Sequence, residues 1–137
     1  MLAQILVGSV VSICNITIHA LVMAAVVRVA HAVNARNKFR SAGYLPSLMI
    51  ATVSVLMAAH ISEVFVWAVA YSIVDAAPVG SRLVYFAFVN YTTLGYGDVI
   101  PIERWQLLGP MTAMNGVLLF GWSTAVIFEV LRRVMIK

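Results

Sequence analysis

The chain has 137 residues, of which 63% are hydrophobic and only 10% charged, too little polar surface to cover a water-soluble globule of this size. Its net charge of +4 comes from basic residues gathered mostly at 28–40 and 132–137, while Glu63, Asp75, Asp98, Glu103 and Glu129 stand singly; the pattern is one of membrane topology and not of nucleic-acid binding. The single cysteine, Cys14, lies in an apolar run, which excludes an intrachain disulfide and a thiolate metal cluster.

Residues 1–27 carry no charge and predict an N-terminal membrane helix reaching residue 33. Ala30-His31-Ala32 has the small-x-small form of a signal cleavage site. The apolar run is far longer than a signal's h-region of roughly 7–15 residues and has no basic n-region, so the helix is expected to be retained. Residues 34–44 form a basic loop in which Arg36, Lys38 and Arg40 set topology and are able to meet anionic lipid headgroups. A second span is predicted over 45–75 and a third over 107–133, each longer than the roughly 20 residues that cross a bilayer. The positive-inside rule puts the basic loop and the tail in the cytoplasm, hence residue 1 and segment 75–104 outside. Arg104-Trp105 is expected to anchor the outer interface, and Pro110 sits near a helix start, where its missing N–H is not needed.

The outer segment opens with turn residues 76–81 and continues into an apolar, aromatic stretch. It predicts a half-helix over 82–92 with Ser81 as N-cap. Nine such residues make only about 13 Å of helix, too short to span. Irregular backbone at membrane depth survives only when buried in protein or lining a watery path, so the residues after Tyr91 must face a pore or a partner.

Those residues are Thr92-Thr93-Leu94-Gly95-Tyr96-Gly97-Asp98, and they resemble the signature of pore-loop potassium channels. A dehydrated cation needs a wrapping of oxygens, which stacked carbonyls supply if successive residues aim C=O at one axis; Gly95 and Gly97 permit the left-handed dihedrals this requires. The resemblance assigns K+ contact to the carbonyls of Thr93, Leu94, Gly95 and Tyr96 and to the Thr93 hydroxyl, with Gly97 at the outer mouth, Thr92 as support and Tyr96 bracing from behind. It pairs Asp98 with the aromatic residues Tyr85 and Phe86, of which only Tyr85 can donate a hydrogen bond. Leu94 stands where valine is commoner. Val89 stands where some relatives have an acid, so no buried carboxylate is expected behind the filter.

The fold class implied is an all-α membrane protein of three spans plus a re-entrant pore helix and filter (93–98), in which residues 45–137 form the pore module. One chain supplies one quarter of a carbonyl ring, so a homotetramer is implied, with the bacterial inner membrane as the expected location. The helix dipole of each pore helix favours a cation in the inner cavity. The run Gly116-Val117-Leu118-Leu119-Phe120-Gly121 resembles the family's inner helix, which would place Val117, Phe120 and Thr124 on the cavity and Phe128 or Arg132 near the gate. Gly116 is open to two readings, hinge or close packing.

Five polar residues lie within the spans: Asn15, His19, His60, Glu63 and Asn115. His60 and Glu63 share a helix face. They are either a proton-sensitive pair coupled to the pore or a neutralised pair tying the second span to the first near Asn15, and the tie is preferred. His19 reads as a packed or interfacial histidine. One His and one acid give too few ligands for a metal. Glu129 reads as pairing with Arg132 and Arg133 in solvent or between subunits. The reading is a passive potassium channel, with K+ as permeant ion, no other cofactor and no enzymatic activity. The alternatives are a subunit of an ion transporter and a non-conducting regulatory subunit. No span carries arginine at every third position, so no voltage sensor is expected, nor is a cytoplasmic ligand domain.

Overall fold

A computed structural model describes residues 1–36 and 44–135, though not the side chains of residues 34–36 and 134. Lys38 and Arg40, and the side chain of Arg36, which were expected to meet lipid, lie outside what is described. Four α-helices account for most of the described residues, and none of those residues forms a strand: α1 (Leu2–Arg36), α2 (Tyr44–Val74), α3 (Leu83–Tyr91) and α4 (Leu108–Met135), with a single 3-10 turn at Glu103–Trp105 before α4. Three segments, Leu2–Val33, Tyr44–Val74 and Glu103–Arg133, are long and apolar enough to cross a membrane. The helix expected over 82–92 runs Leu83–Tyr91, a half-span of 9 residues.

The helix ends follow local chemistry. Pro46 and Pro110 each sit in a first turn, where a missing N–H breaks no bond. At the end of α2 the Ala76 N–H reaches back to the Tyr71 carbonyl at 3.0 Å, with Asp75 left-handed (φ 51°) between them. The Ile102 N–H then bonds the Ala76 carbonyl at 2.9 Å, fastening the entry of α4 to the exit of α2.

Helix α1 runs parallel to α4 in steady register along its length. The Leu107 N–H donates to the Gln4 side chain (2.9 Å), Asn15 Nδ2 donates to Asn115 Oδ1 (3.1 Å), and His31 meets Arg133 at the other end. The N-terminal span lies against both α2 and α4, because its polar residues find their partners on both. Two apolar clusters fill the interior. One packs Val64, Trp67 and Tyr71 of α2 against Phe86, Ala87 and Tyr91 of α3 and Leu108 of α4. The other joins Met23, Val26 and Ala30 of α1 to Leu56, Val126 and Val130. Trp105 belongs to the first cluster, 7% exposed with Arg104 over its ring, so it packs the core and does not anchor an interface. Glu129 pairs along its own helix with Arg132 (2.8 Å) and Arg133, as the i,i+3 and i,i+4 spacing allows.

Candidate functional site

Helix α3 starts after Arg82, which is extended (φ −80°, ψ 94°) and makes no side-chain cap bond; Ser81, expected in that role, lies one residue too early. The other end is built more tightly. The Thr93 N–H bonds the Asn90 carbonyl (3.1 Å) and the Leu94 N–H bonds the Val89 carbonyl (3.0 Å), the paired bonds of a Schellman motif with Thr93 at its left-handed position. That position normally takes glycine. Thr93 holds φ 59°, a strained choice for a β-branched residue, worth on the order of 1–2 kcal/mol.

Beyond Thr93 the sign of φ alternates. Gly95 (φ 58°) and Gly97 (φ 79°) are left-handed, whereas Leu94 and Tyr96 are not. A backbone that changes hand at every residue can turn successive carbonyls to one side, which an ordinary strand cannot. The glycines supply two of the three left-handed positions without strain, and the helix cap imposes the third. All of residues 92–98 are exposed in the single chain, with Leu94 at 53% and Tyr96 at 68%.

Behind the loop, the Tyr85 hydroxyl donates to Asp98 Oδ2 at 2.8 Å, and that carboxylate holds the phenol above the usual tyrosine range. Phe86 is buried against Tyr71, 4.8 Å between ring centres. The Tyr71 hydroxyl meets Thr112 of α4 at 2.5 Å and accepts from Asn90 at 3.3 Å, locking α3 between its neighbours.

On α4, Val117, Phe120, Thr124 and Phe128 are all exposed in the single chain. Gly116 is not on that face. A Cβ built there would sit 2.0 Å from the Tyr91 carbonyl oxygen, so the glycine serves close packing of α4 on the end of α3. At Gly121 the same atom would meet nothing within 4 Å.

The family described as ion channel matches residues 59–133, which take in the second half of α2, the half-helix, the loop after it and α4 almost to its end. The chain belongs to this ion-channel family. No curated protein and no solved structure matches it. The match agrees with the resemblance to pore-loop potassium channels carried by residues 92–98, and it leaves α1 outside the family's common region.

In this ion channel, α1 is nonetheless tied to the half-helix α3 by a buried polar network. His19 Nδ1 lies 2.7 Å from Glu63 Oε1, and His60 Nδ1 lies 3.1 Å from Glu63 Oε2 and 2.9 Å from the Tyr91 hydroxyl, which itself donates to Glu63. The far ring nitrogens converge on one hydroxyl: Ser123 Oγ is 2.9 Å from His60 Nε2 and 3.3 Å from His19 Nε2. Glu63, Ser123 and the two imidazoles thus close a ring of four links. Asn15 adds a bond to the Glu63 carbonyl (3.2 Å), and Trp67 donates to Asn115 Oδ1 (3.0 Å).

His60 and Glu63 therefore tie α2 to α1 and also to α3 and α4. His19, read from sequence as a lone packed histidine, is fully buried and bonded to Glu63. A buried carboxylate does stand against the end of α3, contributed by α2 and not by position 89. The network's other members were legible as a pattern. Asn15 and His19 are one turn apart, as are His60 and Glu63, and Asn115 and Ser123 are two turns apart, so each helix offers a single polar line in an apolar surface.

Proposed function

We propose that the chain is one quarter of a passive, potassium-selective channel in which four copies surround an axis lined by the carbonyls of Thr93, Leu94, Gly95 and Tyr96 and by the Thr93 hydroxyl. The observation that carries this reading is the alternating hand of the backbone at 93, 95 and 97, set on a half-helix that cannot cross the bilayer. A path for bare cations needs such carbonyls; a packing loop does not. The exposure of the loop and of Val117, Thr124 and Phe128 in one chain leaves both surfaces for other copies and for a water-filled cavity. The joined ends of α1 and α4 bring Arg28, Arg132 and Arg133 toward one side, which the positive-inside rule assigns to the cytoplasm, with the filter opening outward.

Liposomes holding the purified protein under a K+ gradient test the reading. Wild type should pass K+ in strong preference to Na+, and Gly95→Ala should abolish the flux. A Cβ at Gly95 has room in the single chain, its nearest contact being 3.8 Å away, so the loss comes from forcing φ 58° on an L-residue, about 1–2 kcal/mol in each copy. Equal K+ and Na+ flux, or an unimpaired Gly95→Ala variant, would refute it.

A further inference from the structure

The ring around Glu63 places three side chains of metal-ligand type together, the one such group among the described residues: the ligand atoms of His19, His60 and Glu63 lie within 4.8 Å of one another. They come from α1 and α2, and a fourth donor, the Tyr91 hydroxyl of α3, is bonded to Glu63 and 2.9 Å from His60 Nδ1. We propose that these four residues bind a divalent transition cation of the zinc class.

Two features favour a metal over a packing contact alone. The donor set is the first. Two imidazoles with a carboxylate recur as the protein ligands of zinc sites, whereas Mg2+ and Ca2+ take oxygen and Cu+ takes sulfur, which no residue here offers. Orientation is the second. Both Nδ1 atoms face the Glu63 carboxylate, and both Nε2 atoms are held by the same Ser123 hydroxyl, which is how an outer partner fixes the ring of a metal-binding histidine.

Ligand atoms around a four-coordinate ion with bonds of about 2.0–2.2 Å stand a little over 3 Å apart, so closure needs shifts of an ångström or so. His60 is the least buried of the four and stacks on Phe120, 4.5 Å between ring centres, itself 38% exposed; entry is from the face of α4 assigned to the inner cavity. Tyr91 immediately precedes Thr92 and Thr93, so an ion held there joins the N-terminal helix to the base of the filter. The site stands whichever ion the pore selects.

The test uses the full chain, purified without a tag, stripped with EDTA and titrated with Co2+. Saturation at one ion per chain is expected, with the intense visible bands of four-coordinate Co2+, displaced by Zn2+. His19→Gln and His60→Gln should each abolish those bands, and Ser123→Ala should weaken binding by roughly 10–100-fold. Two independent histidine variants guard against one failing to assemble, and each is scored only where its size-exclusion profile matches wild type. Absence of four-coordinate bands in wild type at millimolar Co2+, or bands that persist in an assembled histidine variant, would overturn the proposal.

Discussion

Replacing Gly116 with alanine separates the two roles its position allows. The added Cβ would lie 2.0 Å from the Tyr91 carbonyl oxygen and 3.0 Å from its carbon, while packed Cβ atoms stay at least 3.0 Å from their neighbours; α4 and the pore helix must part by about 1 Å. Both partners are backbone, so no side chain can swing aside. Overpacking of this kind costs roughly 1–3 kcal/mol, against which alanine recovers up to about 1 kcal/mol of helix propensity. Because the clash is with backbone, the cost falls at the upper end of that range and the net loss is about 2 kcal/mol per chain, felt in every copy. Gly121→Ala is the control, since nothing lies within 4 Å of its Cβ in the chain and the propensity gain of about 0.5–1 kcal/mol stands alone. Thermal unfolding of the detergent-solubilised protein, followed by loss of the assembled peak on size exclusion, should rank Gly121→Ala at or above wild type and Gly116→Ala below it. A Gly116→Ala variant as stable as wild type would refute the packing argument and return the residue to the role of a hinge.

Thr93→Gly should raise the unfolding temperature by relieving the left-handed strain, about 0.5–1 kcal/mol after glycine's greater chain entropy, while the lost hydroxyl weakens K+ selectivity; a destabilised variant with unchanged flux would contradict both halves. Tyr85→Phe should remove an alkaline limb of stability. The Asp98 carboxylate raises the phenol's pKa, so the bond contributes fully below the ordinary tyrosine value of about 10 and is lost as pH climbs through the raised one. Wild type and variant should therefore differ in unfolding temperature at neutral pH and converge in strong alkali. Curves that stay parallel would show that the bond contributes nothing.

The spans and the half-span were legible because hydropathy and length decide them, and the pore letters because glycine at 95 and 97 has a backbone reason. The left-handed Thr93 was not legible. Its dihedral follows from how α3 ends, and sequence rules reserve that cap for glycine. Ser81 misled for a related reason, since a cap is set by the dihedral of the residue beside it and Arg82 takes the extended conformation. Ser123 was not singled out, and His19 was read without its partners, because their pairing lies in the parallel register of α1 on α4, a tertiary fact that no single segment encodes. Trp105 was assigned to an interface by composition and is buried by the return of the chain onto α2.

The reversal potential of the purified protein in a planar bilayer tests the central claim most directly. With a tenfold KCl gradient balanced by NaCl, a potassium-selective pore should reverse near the potassium equilibrium value, about 59 mV from zero, with no shift when Na+ is exchanged for an inert cation. Reversal near zero would mean that K+ and Na+ pass alike, and the assignment of Thr93, Leu94, Gly95 and Tyr96 as a potassium filter would be wrong.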